Sequence, residues 1–226
     1  MGTGLSSPQP WLGVCFDLDG VLIDTMPLHA IAWQHALRTR GLRVSRRLIY
    51  EWEGESGIVS ARRLLAAHQC PQIGAADLLA DKERRFAMLA RDIRVPVPLQ
   101  RLLRRIRRRH TRLALVTGTS SREVDRILPQ TIRHTFDALV TGDRVRRGKP
   151  HPEPYLTAVR ALHIPAHRAI VVENAPYGIR SAQQAGAGYI VALASSLPRR
   201  YLQGAHVIVG SVRDLIQALD ELVCPD

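Results

Sequence analysis

Acids, hydroxyls and one lysine mark four short segments of this sequence. Asp17-Leu18-Asp19-Gly20 sets two carboxylates two residues apart, beside a glycine that lets the chain turn at once. One carboxylate of such a pair can attack phosphorus while the other handles the leaving-group proton. An Asp-rich turn after a strand is the plain alternative. Thr117-Gly118-Thr119-Ser120 offers hydroxyls and backbone N–H groups that hold phosphoryl oxygens, or that simply cap the next helix. In Gly148-Lys149-Pro150-His151-Pro152-Glu153-Pro154, three prolines stiffen a loop around a lone lysine, which would set a fixed cation against carboxylate and phosphate. A surface lysine is the ordinary reading of such a loop, but Lys82 and Lys149 are the only lysines among 32 basic residues. Glu173-Asn174-Ala175-Pro176 supplies a carboxylate and an amide oxygen, which suit a hard cation such as Mg²⁺ or, for Asn174, a helix cap. Together the four segments hold a nucleophile, an acid/base, phosphate donors, a fixed cation and metal ligands, the parts that phosphoryl transfer needs.

Each segment ends a short run rich in strand-forming residues. The runs Leu12–Asp17, Arg112–Thr117, Phe136–Thr141 and Ala169–Glu173 are nearly continuous apolar stretches, as in strands buried on both faces of a parallel sheet. Tyr189–Ala192 and His206–Val209 read as two more. Helical patterns at Ser121–Leu128, Pro154–Leu162 and Gly178–Ala185 alternate with them, which predicts a doubly wound, Rossmann-like α/β sheet. Ligands of such sheets bind beyond the carboxyl ends of the strands, where the four segments lie.

The alternation breaks once. Between the first strand and Arg112 the sequence shows only helical patterns, at Pro27–Arg40, Arg46–Trp52, Val59–His68 and Ile73–Ala90, with breaks at Gly41 and Gly54. Val95-Pro96-Val97-Pro98 reads as an extended return linker. The expected division is a tail at residues 1–10, an α/β core at 11–26 and 97–226, and an inserted all-helical domain at 27–96.

Composition narrows the class. No apolar run approaches the ~20 residues that span a bilayer, and the first residues lack the basic and apolar blocks of a secretory signal. Gly2 and Ser6 fit the loose N-myristoylation pattern, but a polar tail is the reading adopted. Cys15, Cys70 and Cys224 show no disulfide or zinc spacing, which points to a reducing cytoplasm. The formal charge of +12 comes from arginines spread along the chain. In the densest run, Arg101–His110, Leu99, Leu102, Leu103 and Ile106 form one apolar stripe, so the arginines belong to the solvent face of an amphipathic helix. No aromatics interleave with them, and no specific nucleic-acid or membrane partner is expected.

The ordered set of motifs, with DLDGVLIDT the most specific, resembles the haloacid dehalogenase superfamily, in its branch of small phosphatases and β-phosphoglucomutase-like proteins with a helical cap. The resemblance covers about Trp11 to Leu222. It implies a Mg²⁺-dependent phosphatase acting on a small phosphorylated metabolite, with Asp17 as nucleophile and metal ligand. Asp19 would be the acid/base, its backbone carbonyl a metal ligand. It also implies Thr117, Gly118 and Thr119 on the phosphate, Lys149 as the neutralising cation, and Glu173 and Asn174 as the metal-binding pair. Asn174 departs from the family's commoner acid there, which lowers the charge offered to the metal. The insertion would be the cap, with His29 facing Asp19 or substrate, and Gly54, Ser56 and Gly57 in the loop that touches substrate in relatives. Genuine β-phosphoglucomutases carry an arginine where Gly57 aligns, which favours hydrolysis over the mutase alternative. A non-catalytic regulatory protein is the third reading. Family habit implies a monomer, or a dimer.

Overall fold

A computed structural model describes residues 11–223. The tail 1–10, the myristoylation pattern within it and Cys224 lie outside the described residues.

Strand β1 (Gly13–Phe16) is followed by four helices, α1 (Met26–Arg38), α2 (Arg46–Glu51), α3 (Gly57–Ala67) and α4 (Ala75–Leu89). Helix α5 (Val97–Arg108) leads back into the sheet through β2 (Arg112–Val116). Then come α6 (Ser121–Ile127), α7 (Gln130–Arg133), β3 (Ala138–Val140), α8 (Glu153–Ala161) and β4 (Ala169–Glu173). The chain ends in α9 (Pro176–Gln184), β5 (Tyr189–Leu193), β6 (Val207–Val209) and α10 (Val212–Val223). All six strands run parallel in the order β3-β2-β1-β4-β5-β6, the doubly wound sheet expected from the alternating pattern. The connections leave β1 toward β2 on one side and reach β4 on the other, so a crevice opens at the carboxyl end of β1.

Side-chain alternation decides which layer each strand residue joins. Val14 and Phe16, with Leu113, Leu115, Ile170 and Val172 beside them in register, pack under α5, α6 and α10. Cys15, Ala114 and Val171 face the opposite layer, filled by Tyr155 and Ala158 of α8 and Ile179 and Ala182 of α9. The stripe on α5 is fully buried at Leu99, Leu102, Leu103 and Ile106. Burial of side chains this size contributes about 1.5–3 kcal/mol each. The arginines on its other face meet solvent and acids, with Arg105 forked onto Asp220 and Arg107 on Asp137.

Residues 95–98 do not form the expected linker: α5 already begins at Val97, with Pro96 as its cap and Pro98 in its first turn. A first-turn proline costs the helix nothing, because that N–H has no intrahelical acceptor and φ is already helical. The predicted breaks at Gly41 and Gly54 both have positive φ, +74° and +86°. Helices α1–α4 build a cluster of their own around Trp33, Leu37, Leu64 and Leu78. Ala32, Phe86 and Ala90 of the same segment pack instead into the layer over the sheet. No helix among the described residues is long and apolar enough to cross a membrane.

Candidate active site

The end of β1 is folded back on itself. The N–H of Asp17 still donates to Val172 of β4 (2.9 Å), but the carbonyl of Leu18 accepts from Val21, Leu22 and Ile23 in turn. Gly20 makes this possible with φ +86°, and a Cβ there would fall 2.1 Å from Asn174 Nδ2. The tight turn aims Asp17 and Asp19 at one crevice, both essentially without solvent exposure.

Lys149 ties three strand ends together. Its ammonium donates to Asp17 Oδ1 (2.6 Å), to Glu173 Oε1 (2.6 Å) and to the Val116 carbonyl (3.0 Å), which uses all three of its donors. Tyr155 adds its hydroxyl to Glu173 Oε1 at 2.6 Å. The carboxylate of Glu173 packs so closely on α9 that a Cβ on Gly178 would overlap it. Burial favours a neutral lysine, but Asp17 and Glu173 outweigh it and hold Lys149 above the ordinary lysine range. Burial raises Asp17, with Glu173 and Asp19 adding to the rise and Lys149 opposing it.

Asp19 is the most heavily hydrogen-bonded carboxylate of the site. Oδ1 accepts from Thr25 (2.6 Å) and lies 3.0 Å from His29 Nε2, while Oδ2 accepts from Thr117 (3.1 Å) and Thr119 (2.8 Å). Burial pushes its carboxyl up, but His29 and the hydroxyls of Thr25 and Thr119 more than offset that and hold it well below the usual carboxylate range. His29 is itself stacked on Phe86, ring centroids 4.0 Å apart.

The donor set fits a divalent cation. Asp17 Oδ2 and Asn174 Oδ1 are buried and have no hydrogen-bond partner among the described residues, an unusual condition for polar atoms unless something else fills the place. Asp17, Asp19 and Glu173 also outnumber the single lysine among them. Asn174 Nδ2 donates to the Asp19 carbonyl (3.0 Å). Glu173 is committed elsewhere, to Lys149, Tyr155 and the N–H of Asn174. Among the described residues no three His, Cys, Asp or Glu side chains form a ready metal cluster, so a cation here would rest on mixed carboxylate, amide and carbonyl oxygens.

The loop between α2 and α3 sits directly on this crevice. A Cβ at Gly54 would meet Lys149 Cδ at 2.4 Å, one at Gly118 would meet the Gly54 carbonyl at 2.7 Å, and one at Gly148 would meet Ser56 N at 3.2 Å. Between loop, helices and crevice lies a cavity of about 160 Å³. His29, Gly118 and Thr119 line it from below, and Ser56 and Gly57 from the loop.

A family model for haloacid dehalogenase-like hydrolases matches residues 14–192, which hold all four motif segments. The chain belongs to that family. Fructose-1-phosphate phosphatase YqaB of Escherichia coli K12 is 28% identical over 179 residues, 79% of this chain and 94% of that one. Beta-phosphoglucomutase of Bacillus subtilis is 28% identical, covering 89% of this chain and 90% of its own. The crystal structure of CbbY from Rhodobacter sphaeroides, in complex with phosphate, superposes with a TM-score of 0.77 at 27% identity over 91% of this chain and 96% of that one.

Three residues that sequence reasoning passed over stand in this hydrolase's site. Lys82 of α4 is buried, donates to Glu123 of α6 (3.4 Å) and stands over the Phe86 ring. Its signal was available: the scarcity that singled out Lys149 applies equally to Lys82, and both lysines of the chain are buried at this site. Tyr155 follows the lysine loop directly and orients Glu173. Glu53 lines the cavity, and burial together with the charges of Asp19 and Asp17 pushes its carboxyl well up.

Proposed function

We propose that this protein is a Mg²⁺-dependent phosphatase that hydrolyses a small phosphomonoester, a sugar phosphate or similar metabolite, through a phosphorylated Asp17. The observation that carries the reading is the condition of Asp17: one oxygen is held by Lys149, the other is buried, unpartnered and free to attack.

In the first half-reaction Asp17 Oδ2 bonds to phosphorus as the ester P–O bond breaks, and Asp19 passes to the departing oxygen a proton that reaches it from His29, 3.0 Å away. In the second, Asp19 as carboxylate takes a proton from water, whose oxygen attacks the same phosphorus and frees Asp17 and phosphate. Lys149 balances charge on Asp17 throughout, while Thr117, Gly118 and Thr119 receive the phosphoryl oxygens. Mg²⁺ would be held by Asp17, the Asp19 carbonyl and Asn174, with Glu173 behind them, and would supply positive charge to the transferring phosphoryl group. Residues 27–96 act as the cap, and His29, Gly54, Ser56 and Gly57 contact the leaving group or frame its place.

The mutase reading has support from the beta-phosphoglucomutase relative. Hydrolysis is preferred because no arginine is among the described residues that line the cavity, so none is there to grip a second phosphate. The test is phosphate release from a panel of sugar and polyol phosphates, with Mg²⁺ and with chelator. Metal-dependent release is expected, and Asp17→Asn should lose it by ~10³-fold or more while staying folded. Activity retained in Asp17→Asn would overturn the nucleophile. Isomerised sugar phosphate without free phosphate, seen after adding a bisphosphate primer, would establish the mutase instead.

A further inference from the structure

Asn174 is a neutral side chain among buried acids, and the two ends of its amide are treated differently. Nδ2 donates to the Asp19 carbonyl (3.0 Å) and lies against the turn at Gly20, where a Cβ would come within 2.1 Å of it. That bond decides which end is which, because a carbonyl oxygen accepts only from the nitrogen. Oδ1 is left buried and without a partner among the described residues. An aspartate at 174 would have no N–H to give the Asp19 carbonyl. It would also be a fourth buried acid beside Asp17, Asp19 and Glu173, with Lys149 the one buried cation among them. Unpaired charge in such a place is costly until a cation relieves it.

The oxygens open to a cation bring little charge of their own. Glu173 commits its carboxylate to Lys149, Tyr155 and the N–H of Asn174. Asp19 commits its carboxylate to Thr25, Thr117 and Thr119, with His29 beside it. What remains is Asp17 Oδ2, Asn174 Oδ1 and the Asp19 carbonyl. These carry at most one negative charge, and Lys149 already holds the other oxygen of that carboxylate. Charge count is what sets how firmly an oxygen site keeps a divalent cation. A phosphoryl group beside Asp17 brings the missing charge to the same place.

Resting on the phosphatase reading, we infer that Asn174 makes the cation and the phosphoryl group bind as one unit. The protein holds Mg²⁺ weakly by itself and firmly only with a phosphate beside it. In return the fold stands without the metal, because no fourth acid waits there and the Asp19 carbonyl keeps its donor. The coupling is mutual, since whatever phosphate adds to Mg²⁺ affinity, Mg²⁺ adds to phosphate affinity.

The experiment titrates Mg²⁺ calorimetrically into the full chain, with and without saturating inorganic phosphate, against a protein-free blank for the salt itself. Urea unfolding in chelator and in Mg²⁺ goes beside it, and neither measurement reads turnover. Phosphate should tighten Mg²⁺ by about tenfold or more, and Mg²⁺ should tighten phosphate by the same factor. Asn174→Asp should bind Mg²⁺ alone about tenfold more tightly, with the gain from phosphate cut to about threefold or less. In chelator that variant should unfold at lower urea than the wild type. Mg²⁺ alone should restore it, while barely moving the wild type. Mg²⁺ bound by the wild type equally well with and without phosphate, or in neither case, overturns the inference. So does an unchanged Mg²⁺ affinity in Asn174→Asp. If that variant does not fold in chelator, the wild-type titrations decide alone. Coupled binding with no phosphate released from any ester would sink the phosphatase reading and leave the coupling standing.

Discussion

Lys149 is held by two carboxylates in a place with almost no solvent, so removing it strands both. Lys149→Met should therefore destabilise the fold by about 3–5 kcal/mol, measured by urea unfolding, and abolish turnover. Adding Glu173→Gln should recover part of the stability, since one buried charge goes, and none of the activity. Recovery of neither would mean that the loop, rather than charge, carries the loss. Asp19 gives a prediction with a sign. The donors that hold its carboxyl low act on the charged form, so deleting one raises it. Thr119→Ala should move the acid limb of the dephosphorylation rate, the step in which Asp19 works as the carboxylate, to higher pH by about one unit, the size expected for one hydrogen bond to a charged group. The same argument applies to stability. A carboxyl held below its unfolded value stabilises the fold at pH above that value and ceases to do so as pH falls through the folded one. The wild type should thus be more stable than Thr119→Ala by about 1.4 kcal/mol at neutral pH, and the gap should close as pH falls below the usual carboxylate range. Coincident pH profiles would show that Thr119 does not tune Asp19.

At the scale of elements, much was legible because the sheet writes its signature locally. Buried parallel strands are short apolar runs, and the chemistry sits in the residue or two after each, so Asp17, Thr117 and Glu173 could be placed at strand ends before any coordinates. What was not legible depended on contacts across the fold. Lys82 has meaning only beside Glu123, 41 positions away in sequence. The commitment of Glu173 to Lys149 and Tyr155 likewise needs β4 and α8 side by side. Helix α10 was missed although Leu215, Leu219 and Leu222 repeat at helical spacing and Ser211 caps the turn, accepting from Asp214 N at 3.2 Å. The loop after α2 is where an element meets the chemistry. Gly54→Ala places a methyl group on the side chain of Lys149 and a residue with Cβ at φ +86°. The conformational cost is about 1–2 kcal/mol. The loss of activity should be far larger than that stability change, because the loop must lift from Lys149 to make room. A variant with full kcat would mean that the loop does not rest there during turnover.

For the molecule as a whole, the question is what holds the helical insertion down on the sheet. Phe86 and Ala90 give it an apolar footing, and Lys82–Glu123 gives a buried polar one. The third contact is at the rim. Arg63 of α3 donates to the hydroxyl of Tyr177 in α9 (2.6 Å) and pairs with Glu55 (3.0 Å). It also lies over the rings of Trp52 and Tyr177. Since α9 starts three residues after Glu173, this clasp joins the insertion to the helix that directly follows Glu173 and Asn174. Arg63 is 39% exposed, so its ion pair is screened and contributes little. The hydrogen bond to Tyr177 is the specific part. Tyr177→Phe keeps the ring under the guanidinium and removes only that bond, about 1 kcal/mol, or roughly fivefold in the balance between closed and open insertion. Amide hydrogen exchange should then quicken about fivefold across Glu53–Ser56 and stay unchanged at Val14–Phe16, with KM rising by a similar factor. Exchange that quickens equally in β1 would make Tyr177 a general stability residue. Exchange that changes nowhere would leave the buried Lys82–Glu123 pair and the Phe86 footing as what keeps the insertion closed.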